Sequence, residues 1–92
     1  MAMSHYGLVK LSEESAEVIQ VAQKLIAYPE LIHSKIIQHP DGTILLDRLE
    51  DEMADVYAAF RFVTEKLGLD KERISTRSLS KLELFRQWDK ER

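Results

Sequence analysis

Glu14-x-x-Glu17 and Glu52-x-x-Asp55 are two acidic pairs of identical spacing in one short chain. Side chains three apart lie on the same side of a helix. Two such pairs facing each other would form an all-oxygen donor set for a hard dication, Mg²⁺ or Mn²⁺ rather than zinc. At about 100° per residue, Val18, Val21 and Leu25 fall within about 40° of Glu14, and Glu17 lies about 60° away at the stripe's edge. The second pair repeats this: Leu45, Val56, Ala59 and Val63 fall within about 40° of Glu52, with Asp55 again about 60° off. One carboxylate of each pair therefore sits in the middle of an apolar stripe. An ionised carboxylate placed there must be paired, protonated or bound to a metal. Ordinary solvated acids are the competing explanation, and Glu13, well outside the stripe, is one by position. That explanation fits Glu14 and Glu52 poorly, because the same coincidence would have to occur on two helices.

A dication held by Glu14, Glu17, Glu52 and Asp55 would polarise a phosphoryl group and acidify a bound water. Glu17, or its neighbour Glu13, is placed to orient or deprotonate that water. Mg²⁺ commonly recruits substrate phosphates as further ligands. Three glycines in the whole chain cannot build a phosphate-cradling loop, and no Ser/His/Asp arrangement is present.

The elements needed to position these acids are helical. Helices are expected over 11–28, 30–38, 44–67 and 71–90, after a loosely ordered stretch at 1–10. Ser12 and Thr43 are the expected N-caps of the first and third helices, and Asp70 that of the last. Pro29 interrupts the first helix and suits the first turn of the short one. His39-Pro40-Asp41-Gly42-Thr43 is a turn, and Gly68 suits a left-handed helix end. Ser75-Thr76-Arg77-Ser78 marks a possible break in the last helix. No strand-like alternation persists beyond a few residues. The expected architecture is all-α, one domain over 1–92: an antiparallel helical bundle completed by oligomerisation, since a lone core of this size is marginally stable.

With these elements in place, Glu13-Glu14-Ser15-Ala16-Glu17 and Glu52-Met53-Ala54-Asp55-Val56 resemble the E-E-x-x-E … E-x-x-D signature of the MazG-like all-α nucleoside triphosphate pyrophosphohydrolases. The resemblance runs from about Leu11 to the C-terminus, through Leu67-Gly68-Leu69-Asp70 and the trailing Lys81 … Arg86-x-Trp88 helix. It implies Mg²⁺ coordination by Glu14, Glu17, Glu52 and Asp55, with Glu13 in an outer, water-orienting role. The implied activity is hydrolysis of a (d)NTP to the (d)NMP and pyrophosphate, in nucleotide-pool housekeeping. Phosphoribosyl-ATP pyrophosphohydrolase and all-α dUTPase-type enzymes carry similar acidic motifs and are the nearest alternatives. An alternative of another class is a non-catalytic helical interaction or regulatory protein. The 34 residues between Glu17 and Glu52 exceed the family's usual spacing, which bears on substrate choice and subunit packing more than on the metal.

Composition narrows the partners. The chain is 45% hydrophobic and 32% charged, as in a folded domain rather than a disordered one. Net charge is −3, but residues 1–70 hold six Lys/Arg against twelve Asp/Glu, whereas 71–92 hold seven against four. The acidic body argues against a nucleic-acid polymer as partner. An acidic centre with a basic tail suits a metal-bound, phosphorylated small molecule. Lys81 and Arg86 on the last helix are the candidate substrate-binding cations, weighed against an ordinary solvated basic face. Trp88, Tyr57, Phe60 and Phe62 are more often core or dimer contacts than nucleobase platforms, and His5, His33 and His39 read as surface groups. Without cysteine there is neither a disulfide nor a thiolate metal site. No apolar run reaches bilayer length and no apolar leader opens the chain, so no membrane partner is expected. The expectation is cytoplasmic, as a homodimer or homotetramer.

Overall fold

The computed structural model describes residues 6–33 and 44–92. Three α-helices occupy them: α1 (Tyr6–Ala27), α2 (Leu45–Leu67) and α3 (Lys71–Lys90), with a 3₁₀ turn at Pro29–His33 between α1 and α2. The all-α expectation holds. Among the described residues no helix is long and apolar enough to cross a membrane.

α1 starts at Tyr6, well before the expected Ser12 cap. Packing on α2 explains the longer helix. Gly7 is buried so closely against α2 that a Cβ there would stand 3.1 Å from side-chain atoms of Phe62 and Val63. The Tyr6 ring meets Phe62 edge-on, with centroids 6.1 Å apart. Ser12 is an exposed residue inside the helix rather than its cap. At the other end, α1 stops at Ala27, and Pro29 opens the 3₁₀ turn. The expected helix 30–38 appears as this turn as far as His33; the rest of it, and the 39–43 turn with Thr43, lie outside the described residues.

α2 begins after Ile44, whose extended backbone supplies the N-cap without a side-chain hydrogen bond. It ends at Gly68 with φ 65°. The Leu69 N–H reaches Thr64 O at 3.0 Å and the Gly68 N–H reaches Glu65 O at 3.3 Å, the paired bonds of a Schellman motif. Asp70 then caps α3, its Oδ1 accepting from the Arg73 N–H at 3.0 Å. The Ser75–Ser78 stretch does not interrupt α3.

The core lies between α1 and α2, which run antiparallel. Val21 and Leu25 pack with Leu45, flanked by Leu31 and Leu49. Ala59 and Val63 continue the buried stripe along α2. α3 buries no residue. Leu79, Phe85 and Trp88 are 63%, 53% and 47% exposed. The radius of gyration is 16.0 Å, against about 12 Å for a compact chain of this length. The α1–α2 hairpin, not α3, positions the acidic pairs.

Candidate metal centre

Glu14 and Glu17 extend from α1 toward Glu52 and Asp55 on α2. One carboxylate oxygen from each of the four lies within 4.8 Å of the others. Burial follows the wheel positions. Glu52 is 4% exposed and Glu14 half-buried, whereas the edge residues Glu17 and Asp55 are exposed. The hairpin thus holds two acids at the helix–helix seam and two at its rim.

The inner oxygens are the most informative atoms in the molecule. Glu14 Oε2 and Glu52 Oε2 are both buried and both lack a hydrogen-bond partner. Leaving a buried charged acceptor unsatisfied is strongly unfavourable. The other Glu52 oxygen, Oε1, accepts from Arg48 Nε at 3.0 Å, one turn earlier on α2. Glu52 is thus held on one side and open on the other.

Crowding also shows in acidity. Glu14 is pushed above its ordinary value of 4.5, first by burial and then by the charges of Glu17 and Asp55. Glu52 is also raised, first because a proton on it would be shared with the facing Glu17 carboxylate, then by burial and Glu17's charge, against the opposing pull of Arg48. Both shifts say that the ionised quartet lacks positive charge. A dication would supply it, and four carboxylates are a fitting donor set for Mg²⁺ or Mn²⁺.

The remaining sequence-selected residues lie elsewhere. Glu13 is on the exposed face of α1, where Lys10 Nζ approaches its Oε2 at 3.2 Å. Lys81 and Arg86 are both on α3. Lys81 lies 5.6 Å from the Trp88 ring centroid and 5.9 Å from that of Phe85. Arg86 pairs with Glu83 at 2.7 Å on an exposed face. The clefts beside the quartet are walled by α1 and α2 instead. One, of about 520 Å³, is lined by Glu17, Gln20, Val21, Lys24, Arg48 and Glu52. The other, of about 400 Å³, includes Tyr6, Lys10, Glu14, Asp55 and Phe62.

Arg48 and Lys24 escaped the sequence reading. Arg48 is four residues before Glu52 on the same face, a spacing at which Arg and Glu pair. Lys24, seven after Glu17, lies on the same face of α1. Those spacings were the available signals.

Compared with models of known protein families, with curated proteins and with solved structures, the chain gives no match.

Proposed function

We propose that this chain is a Mg²⁺- or Mn²⁺-dependent nucleoside triphosphate pyrophosphohydrolase, converting a (d)NTP to the (d)NMP and pyrophosphate. The observation that carries the reading is the meeting of four carboxylates from two helices, with two buried oxygens unpartnered. Glu14, Glu17, Glu52 and Asp55 would hold the dication, which when bound neutralises charge on the phosphates and acidifies water. Glu17 is the best-placed proton acceptor, being exposed, at the rim, and within the quartet. The resemblance of Glu13–Glu17 and Glu52–Val56 to the MazG-like signature supplies the substrate and the leaving group; the geometry alone supports a dication held between the two helices.

We also propose a homo-oligomer as the active form, with the apolar side of α3 covered by another copy. A second reading, a helical interaction protein without activity, is favoured by that same uncovered face. Magnesium titration separates the two, and substrate identity follows from pyrophosphate release across a nucleotide panel that includes dUTP and phosphoribosyl-ATP. Mg²⁺ or Mn²⁺ is expected to raise the melting temperature and to be required for turnover. A chain that neither takes up these ions nor releases pyrophosphate from any nucleotide is not this enzyme.

A further inference from the structure

The cleft on the Glu17/Glu52 side of the quartet carries an arrangement that the four acids alone do not explain. Its two cations come from opposite walls: Lys24 from α1 and Arg48 from α2. Lys24 lies seven residues beyond Glu17, about 10 Å along the helix axis at 1.5 Å per residue. Arg48 lies one turn from Glu52, on the side toward which α1 carries Lys24, because the helices run antiparallel. Acids at one end and cations beyond them form a charge gradient along a single cleft. Its volume of about 520 Å³ is within the roughly 300–1,000 Å³ typical of small-ligand sites.

The opposite cleft differs. Its cation, Lys10, faces Glu13 at 3.2 Å and the Tyr6 ring at 5.7 Å, and the Tyr6–Phe62 aromatic pair forms part of the wall. An anion chain leaving the quartet therefore finds paired cations on the Lys24/Arg48 side only, among the described residues.

We infer that this cleft is a polyphosphate subsite, in which Lys24 and Arg48 receive the phosphates lying beyond the one that sits at the acidic quartet. The inference rests on the pyrophosphohydrolase reading for its ligand class. Arg48 has two tasks there. Its Nε holds Glu52 Oε1 at 3.0 Å, which fixes the carboxylate whose other oxygen, Oε2, is buried without a partner. Arg48 also lines the cleft, and a guanidinium is suited to planar recognition of phosphate oxygens. Lys24 is exposed and acts as a point charge, so its removal leaves the fold intact.

The test uses the full chain and inorganic pyrophosphate as the probe. Pyrophosphate binding is measured by calorimetry at saturating Mn²⁺, and Mn²⁺ binding alone by electron paramagnetic resonance. Lys24→Gln should weaken pyrophosphate binding by about tenfold, the loss of one charge-assisted contact, while Mn²⁺ binding changes by less than about twofold. Lys66→Gln, an equal charge change in the last turn of α2, should leave both unaltered. Arg48→Lys, which keeps the charge but loses the planar fork, should weaken pyrophosphate while Mn²⁺ still binds. Pyrophosphate affinity unchanged in Lys24→Gln, or lowered equally in Lys66→Gln, overturns the subsite, as does a wild-type chain that binds Mn²⁺ but no pyrophosphate. Pyrophosphate bound through Lys24 without turnover of any nucleotide would retain the subsite and remove the enzymatic reading. Turnover with a KM indifferent to Lys24→Gln would do the reverse.

Discussion

Glu52 concentrates the electrostatic argument in one side chain. It is 4% exposed, yet a single cationic contact, Arg48, is what opposes the repulsion of its neighbours. Raised pKa values at Glu14 and Glu52 fix the sign of the pH dependence. A carboxyl that holds its proton more tightly when folded favours the folded state while protonated. That stabilisation is present below the ordinary value of 4.5 and fades as pH rises through the raised folded values. In chelator, the chain should therefore melt at a lower temperature at neutral pH than just above pH 4.5, and saturating Mn²⁺ should reverse the order, because ligation needs the ionised acids. Glu14→Gln should flatten the chelator profile and raise the neutral-pH melting temperature by removing one repelling charge. An unchanged profile in that variant would mean that Glu14 does not feel the cluster. Glu52→Gln should lower turnover by about a hundredfold or more without unfolding the chain, as expected when a positioned electrostatic group is lost.

The helix ends decide how α3 leaves the hairpin. Gly68 adopts φ 65° with open space where a Cβ would stand, so Gly68→Ala encounters backbone strain rather than a clash. That substitution should cost about 1 kcal/mol, and removing the Asp70 cap with Asp70→Ala about as much, both read from urea midpoints. These two residues announce their roles locally, which is why the α2 stop and α3 start were legible in the sequence. The beginning of α1 was not, because Tyr6 and Gly7 become helical through contact with Phe62 and Val63, more than fifty positions away. Ser12 looked like a cap because it precedes Glu13 and Glu14, yet it lies within a helix already under way. The acid quartet was legible because a 3.6-residue period assigns each side chain to a face, and both faces carry the same pattern. For Arg48 and Lys24 the spacing gives only a face shared with Glu52 and Glu17; that both line one cleft depends on how α1 and α2 align, which neither segment encodes alone.

At the scale of the whole chain, apolar surface is left over. α3 carries Leu79, Leu82, Phe85 and Trp88 at 63%, 41%, 53% and 47% exposure, while Ile74 and Lys81 are only half-buried. Arg73, Arg77 and Lys81 lie along the same open side of α3 as Leu82 and Phe85. Scattered single apolar residues would need no explanation, but Leu82, Phe85 and Trp88 fall within about a third of the circumference of α3, the pattern of a surface awaiting cover. The molecule's 44 × 36 × 16 Å extents describe a slab with that surface on an arm. A second copy is the cover we propose: the basic α3 segment would complement the acidic hairpin of a neighbour, and burial of aromatics would supply most of the association energy. Sedimentation of the 10.7 kDa chain should therefore give a mass at least twice that of the monomer. Phe85→Asp should shift it toward monomer with the helical content of the α1–α2 hairpin retained, since Phe85 contributes nothing to the intramolecular core. If the dissociated variant also loses turnover while keeping Mn²⁺ uptake, the cations of α3, Lys81 and Arg86 among them, act in a neighbour's cleft; if turnover persists in the monomer, the hairpin alone is the catalytic unit.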